Sequence, residues 1–261
     1  MPHLLYLWPQ VSQKLRQAGR VLLVFDYDGT LTPIVDRPDL ALLAAETRAL
    51  LAALNRDDRF LLGIISGRSL DDVRGKVGVD GLVYAGNHGL DINGPGLDFI
   101  HPAADELRET QGRVYTRLLE MLADAPGVIL EDKGLTLSLH YRLTPEEHIG
   151  NVEELFGATV APFLLEGQLR VSRGKKVLEV RPAGPWNKGT AITKIKETYG
   201  RSAVTVFFGD DVTDEDGFAV VQDEGDGIAV LVGPAGQPTQ AMYRVDSPEE
   251  VVDTLKLLAQ L

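Results

Sequence analysis

The chain has 261 residues, 44% of them hydrophobic and 25% charged, the composition of an ordinary globular protein long enough to bury a core as one large or two modest domains. It contains no cysteine, which excludes disulfides, thiolate metal sites and a cysteine nucleophile. Its formal net charge of −12 disfavours nucleic acid and anionic membranes as partners, and admits an anionic small molecule only where basic residues gather locally.

No apolar stretch approaches the length of a membrane span. The opening MPHLLYLWPQ lacks the basic start and long apolar run of a signal peptide, so the cytoplasm is the expected location. Val11–Ala18 reads as a short helix leading into VLLVF, a continuous β-rich run suited to a strand buried on both faces. LALLAAETRALLAALNRD follows as an amphipathic helix with Leu43, Leu50, Leu51 and Leu54 on one side. RFLLGIIS ends a second buried strand at Ser66, and GLVYAGNHG supplies a third. This βαβαβ order predicts a parallel sheet covered by helices.

The rhythm then changes. ADELRETQGRVYTRLLEMLAD is a long helix. GVILEDKGLTLSLHYRL is two strands about a turn at Lys133-Gly134, the second predicted half-exposed because Thr136, Ser138 and His140 alternate with leucines. TPEEHIGNVEELFG is a helix with Thr144 as its cap, and LRVSRGKKVLEVRP is a second hairpin around Gly174. After that the α/β pattern resumes: a helix in GPWNKGTAITKIKETYG, a strand in AVTVFFGDD, a short helix in DEDGFAVVQ, a strand in GIAVLVG and a Ser-capped helix in SPEEVVDTLKLLAQL. The fold class expected is α/β, a Rossmann-like parallel sheet core formed by residues 1–97 and 184–261, with an inserted α+β cap over 98–183. Hinges are expected near Gly94–Asp98 and Pro182–Pro185.

In an open parallel sheet, ligands collect beyond the carboxyl ends of the strands. Three strands here end in functional groups: Asp26-Tyr27-Asp28, Ser66, and Asp210-Asp211. Lys188 begins a helix between them. Carboxylates gathered within a few ångströms stay ionised only around a cation. Oxygen ligands without histidine or cysteine select Mg²⁺.

DYDGTL resembles the nucleophile loop of the haloacid-dehalogenase-like phosphatases. IISGR resembles their second motif, Lys188 their third and GDDVTDED their acidic fourth, in the right order. The middle segment is similar to the α/β cap of their sugar phosphatases. AGNHG, EDKGLTLSLHYR, KKVLEVRP and GDDVTDEDGF narrow the resemblance to the trehalose-6-phosphate phosphatases, over nearly the whole chain. The resemblance implies a Mg²⁺-dependent phosphatase acting on a small sugar phosphate, with a separate synthase supplying it. Asp26 would be the nucleophile. Asp28 would be the general acid and base, with its backbone carbonyl on the metal. Asp210 would ligate the metal, and Asp214 would do so through water or orient Lys188. The place of Asp211 stays open. Ser66 and the N–H groups near Gly67 would hold the phosphate, Lys188 would neutralise it, Gly29 would permit the tight turn and Thr30 would hydrogen-bond the phosphoryl group.

Glu131, Lys133 and Glu179 would read the sugar hydroxyls from the cap, with Arg68, Asn87 and His88 on core loops. His140, Arg142, Lys175, Lys176 and Arg181 would add local positive charge. Plainer readings stand beside these. Ser66-Gly67 suits an ordinary strand-to-helix cap, Thr213 and Asp216 a capping box, and Glu131 with Lys133 a surface ion pair; His88 and His140 suit structural roles. Other substrates compatible with the pattern are sucrose, glucosylglycerol or mannosylglycerate phosphates. A phosphomutase shares the general plan, and a non-catalytic sugar-phosphate sensor is the alternative of another class.

Overall fold

The computed structural model describes residues 1–200 and 203–261. In chain order its elements are α1 (Trp8–Gln17), β1 (Val21–Phe25), α2 (Ala45–Leu54), β2 (Phe60–Ile65), α3 (Leu70–Val77), β3 (Val83–Gly86), β4 (Asp91–Gly94) and β5 (Leu97–Ile100). Next come α4 (Ala104–Met121), β6 (Ile129–Asp132), β7 (Leu137–His140), α5 (Glu146–Leu165), β8 (Leu169–Gly174) and β9 (Val177–Pro182). The chain closes with α6 (Lys188–Tyr199), β10 (Val204–Gly209), α7 (Glu215–Asp223), β11 (Ile228–Val232), β12 (Tyr243–Val245) and α8 (Pro248–Leu258). It divides into two compact units, residues 1–99 with 186–261, and residues 100–185.

The first unit is built on an eight-stranded sheet of order β12-β11-β10-β1-β2-β3-β4-β5. β1 is buried along its whole length because it pairs in parallel with β10 on one side and β2 on the other. Its alternate residues feed two separate cores. Leu23 and Phe25 pack with Leu51, Leu54, Val251 and Leu255 of α2 and α8. Leu22 and Val24 pack with Ile192 and Ile195 of α6 and Phe218 of α7. A strand sandwiched in this way needs apolar side chains at every position, which is why VLLVF shows no alternation. The register sets Phe25 opposite both Phe208 and Ile64, so β1, β10 and β2 end level with one another. The residues just beyond them, Asp26, Asp210 and Ser66, therefore share one edge.

The second unit carries a four-stranded antiparallel sheet of order β6-β7-β9-β8. Leu137, Leu139, Leu178 and Val180 pack with Val114 and Leu118 of α4 and with Val152, Phe156 and Val160 of α5. The register aligns Glu131, Ser138, Glu179 and Ser172 as one row across all four strands.

Several local expectations are corrected. α2 begins at Ala45, so Leu43 is buried but precedes the helix. Ser69, and not Ser66, caps α3, its hydroxyl accepting from the Asp72 N–H. β7 is not half-exposed: Leu137, Ser138 and Leu139 are buried and His140 partly so, the small Ser138 sitting between Glu131 and Glu179 of the neighbouring strands; Thr136, just before the strand, is buried as well. Thr144 does not cap α5: Pro145 holds the cap position without a side-chain hydrogen bond, and the helix runs on past Pro162 to Leu165. Ser247 holds the cap position of α8 without capping it by its side chain; its hydroxyl bonds Glu249 instead and holds that carboxyl below its ordinary range. β4, β5 and β12 have no counterpart in the sequence reading, being short pieces whose pairing comes from the sheet edge beside them. No helix among the described residues is long and apolar enough to cross a membrane.

Leu62 is fully buried in the first unit, whereas Leu42 is 71% exposed. Leu62→Ala is expected to cost about 2–5 kcal/mol through lost burial and the cavity left behind. Leu42→Ala should stay within about 0.5 kcal/mol. Urea titrations followed by fluorescence of Trp8 and Trp186, both in this unit, check the contrast.

Candidate active site

The loop after β10 is built by its own aspartates. Asp211 and Asp214 form a reciprocal cap around the short turn Val212–Asp214, in place of the expected Thr213–Asp216 pair. Asp214 is fully buried, and its Oδ2 accepts from the backbone N–H groups of Asp210 and Asp211 at 3.1 and 3.0 Å. A Cβ on Gly209 would lie 2.3 Å from the Asp214 Cγ, so only glycine admits that carboxylate.

Asp214 Oδ1 meets Lys188. The Lys188 ammonium donates to it at 2.6 Å and to Asp26 Oδ1 at 2.7 Å, and the lysine is 2% exposed. Its place at the first residue of α6 is set by Asn187 and Thr190, which form a capping box. Asp26 is anchored by its own N–H, which donates to the Phe208 carbonyl at 2.9 Å. Asp210 approaches from the neighbouring strand. Gly29, at φ +89°, lies so near that a Cβ there would fall 2.2 Å from Asp210 Oδ2. Asp26, Asp210 and Asp214 each offer an oxygen, all within 4.8 Å of one another.

Three carboxylates gather in a buried place beside one ammonium. Burial, and then repulsion from Asp214 and Asp210, hold Asp26 well above the usual carboxylate range although Lys188 pulls it down. For Lys188, burial acts against the charged form, but Asp214 and Asp26 more than offset it and raise the ammonium above its ordinary value. Acidic oxygen donors gathered this closely fit a divalent cation such as Mg²⁺. Asp26 and Asp210 are the side chains available to hold it, with Asp214 beside them.

Asp28 does not join this group. Its two oxygens accept from Arg68 Nε and a terminal guanidinium nitrogen, both at 2.7 Å. Arg68 also donates to Asp72 at 2.7 Å and to the Pro38 carbonyl at 2.8 Å, and lies over the Tyr27 ring. Expected on a sugar, Arg68 is instead spent within the loop system. Asp72 was missed in the sequence, although its position four residues after Arg68 at a helix start was the available signal.

Ser66 is buried; its hydroxyl accepts from the Arg68 N–H at 3.1 Å. The Thr30 hydroxyl is buried with no protein partner among the described residues. Asn87 and His88 adopt left-handed backbone conformations at φ +50° and +57°. Their N–H groups bond the carbonyls of Arg68 and Ser66, fixing the turn after β3 against the loop of Ser66 and Gly67.

In the second unit, Lys133 Nζ pairs with Glu179 Oε1 at 3.0 Å, and the Ser172 hydroxyl donates to Glu179 Oε2 at 3.4 Å. Glu131 Oε2 lies 2.8 Å from His140 Nε2, a pairing the sequence reading did not foresee. Arg142 and Lys176 fall elsewhere: the first donates to the Lys175 carbonyl, and the second lies 3.8 Å from Glu146. Arg181 is buried and stands opposite Arg170.

A family model described as trehalose-phosphatase matches residues 24–249. The chain belongs to the trehalose-phosphatase family. It is a phosphoric monoester hydrolase (EC 3.1.3.12) with the haloacid-dehalogenase-like fold. A curated relative from Oryza sativa subsp. japonica, "Probable trehalose-phosphate phosphatase 4", is 34% identical over 99% of this chain and 71% of its own. The solved C-terminal domain of a trehalose-6-phosphate phosphatase from C. albicans superposes with TM-score 0.84 at 28% identity, covering 97% of this chain and 96% of that one. The C-terminal domain of a trehalose synthase regulatory protein from Candida albicans shares the fold at TM-score 0.72 and 12% identity, covering 94% of this chain and 97% of that one. The fold thus recurs at an identity too low to carry activity with it.

Lys188→Met leaves buried carboxylates without their counter-charge and is expected to cost about 3–5 kcal/mol at neutral pH in chelator. Asp26 sits above its unfolded value, so its contribution to stability is full at acid pH and is lost as pH rises through the folded value. Removing Lys188 lengthens that loss. The deficit of the variant should therefore grow in urea titrations as pH rises from acid toward neutral and beyond. A deficit that shrinks over this range would refute the charge assignment.

Proposed function

We propose that this chain hydrolyses trehalose 6-phosphate to trehalose and phosphate, with Asp26 as nucleophile and Mg²⁺ as cofactor. The observation that carries the reading is the Lys188 bridge between Asp26 and Asp214 beside Asp210. It gives a buried carboxylate a fixed direction and a counter-charge that favours its ionised form, as a nucleophile needs. Bound Mg²⁺ would offset the charge of the site and of a phosphate dianion. Asp26 and Asp210 would hold it together with the Asp28 carbonyl, and Asp214 would act through water or through Lys188.

The ammonium takes Asp26 Oδ1, which leaves Oδ2 for phosphorus. As the Oδ2–P bond forms and the bond from phosphorus to the sugar oxygen breaks, Asp28 gives its proton to that oxygen. Water then attacks the aspartyl phosphate, Asp28 takes a proton from it, and phosphate leaves. Lys188, the Ser66 hydroxyl, the Gly67 N–H and the open Thr30 hydroxyl hold phosphoryl oxygens, while Gly29 lets the backbone turn close to them. Phosphate-monoester hydrolysis requires rate accelerations of up to ~10²¹, so this concentration of donors on one group has a purpose.

Catalysis is assigned to residues 1–97 with 184–261 and sugar reading to 98–183. Glu131, Lys133 and Glu179 have the donors and acceptors to read sugar hydroxyls, and Asn87 and His88 contribute from the loops of the first unit. The substrate would come from a separate synthase, in the cytoplasm.

Phosphate release from trehalose 6-phosphate should need Mg²⁺ and disappear in Asp26→Asn. Equal release in all three conditions would refute the mechanism. Glu131→Ala should lower kcat/KM for trehalose 6-phosphate about 10-fold or more, as expected when a buried polar contact to a hydroxyl is lost. It should leave glucose 6-phosphate nearly unaffected. If trehalose 6-phosphate were no better a substrate than glucose 6-phosphate, or than the sucrose, glucosylglycerol and mannosylglycerate phosphates, the specific assignment would fall. Mg²⁺ at 100 times its Kd should stabilise the chain by about 2.7 kcal/mol, seen as a higher melting temperature that Asp210→Asn removes.

A further inference from the structure

The fork between Arg68 and Asp28 bears on the step assigned to Asp28. The Asp28 side chain is 37% exposed and that of Arg68 only 7%, so the carboxylate faces outward on a buried guanidinium. The guanidinium itself cannot shift freely. Asp72, the Pro38 carbonyl and the Tyr27 ring hold it from other sides, and the Tyr27 hydroxyl is tied to the Ala41 carbonyl at 3.0 Å. A bidentate fork of this kind fixes a carboxylate in direction as well as distance. It also engages both oxygens. Each carboxylate oxygen has two lone-pair sites, so the fork leaves one open on each oxygen and fixes where it points.

We propose that Arg68 is the positioning residue of the general acid and base: it holds the Asp28 carboxylate in one orientation, so that an open lone pair of that carboxylate carries the proton to the reacting oxygen. The proposal rests on Asp28 being the proton donor, as set out above. The Asp28 oxygen so aimed bears the proton, delivers it to the leaving sugar oxygen as the P–O bond breaks, and regains one from the attacking water. Arg68 itself neither gains nor loses a proton, because a guanidinium stays charged throughout. The assignment differs from a sugar-binding Arg68 in what each would change: proton delivery in one case, substrate affinity in the other.

Lysine keeps the charge but loses the planar fork, so Arg68→Lys separates the two. Asp72→Asn weakens the rear support of Arg68 without touching Asp28, and serves if the first variant folds poorly. Both are assayed on trehalose 6-phosphate, whose alkoxide leaving group needs a proton, and on p-nitrophenyl phosphate, whose phenolate does not. General acid–base catalysis is worth about 10²–10⁴-fold. Arg68→Lys should therefore lower kcat/KM on the sugar phosphate by about 10–100-fold and on the aryl phosphate by less than about 3-fold, with Asp72→Asn following more weakly. Combined with Asp28→Asn, Arg68→Lys should add nothing. In an Asp26→Asn background, where turnover is blocked, Arg68→Lys should leave the Kd for trehalose 6-phosphate unchanged by calorimetry.

A weakened Kd would make Arg68 a sugar ligand, and an equal loss on both substrates would make it structural; either result overturns the proposal. Asp28→Asn alone reports on the underlying reading. If it fails to discriminate between the two substrates, the acid role of Asp28 falls and the proposal with it. If it discriminates and Arg68→Lys does not, only the positioning role is lost.

Discussion

A lysine ammonium with almost no access to water, bonded to two aspartates, is the interaction around which this site is organised. Alone, each of the three charges would be costly to bury. Together they compensate one another, and every oxygen of Asp214 has a donor, from Lys188 or from the backbone of its own loop. Buried ion pairs are weak sources of net stability, since desolvation consumes most of the attraction. The arrangement is better understood by what it keeps ionised. Burial pushes Asp26 toward the neutral acid, Lys188 opposes that, and the remaining negative charge invites a divalent cation.

The sheet supplies the geometry that makes this possible. Asp26, Lys188 and Asp214 are drawn from segments up to 188 residues apart in number, yet β1 and β10 are direct neighbours ending level. A right-handed parallel crossover can return a distant segment to the next position in a sheet without constraining what is inserted between. That is how a separate α+β unit of residues 100–185 can interrupt the first unit while its core stays whole. The close approaches at Gly29 and Gly209 belong to the same economy of space. Each removes a side chain where a carboxylate of the neighbouring loop must enter.

The two aspartates of DYDGTL, two residues apart, are treated in opposite ways. Asp26 is enclosed with other acids and a lysine, which suits a nucleophile held in one direction. Asp28 stands nearer solvent against a guanidinium that is itself held on three sides. Two carboxylates on one loop acquire different chemical characters from their surroundings, as the acid–base and nucleophilic roles proposed for them would require.

Much was legible in the sequence because it depends on local chemistry. Unbroken β-rich apolar runs such as VLLVF suited strands buried on both faces, and the change to alternating patterns marked the inserted unit. Asp26, Ser66, Lys188 and Asp210 stood out because each follows or begins an element at the sheet edge where ligands collect. What the sequence by itself determined was therefore the kind of layers, their order, and which polar residues close the strands. Only the tertiary structure decided partners. That Asp28 leaves the acidic group for Arg68, that Asp72 backs Arg68, that Asp211 with Asp214 forms the cap and that His140 meets Glu131 all depend on distances between loops. Side-chain pairing between segments far apart in the chain has no periodicity to betray it, whereas burial and strand pairing leave a pattern at every second or fourth residue.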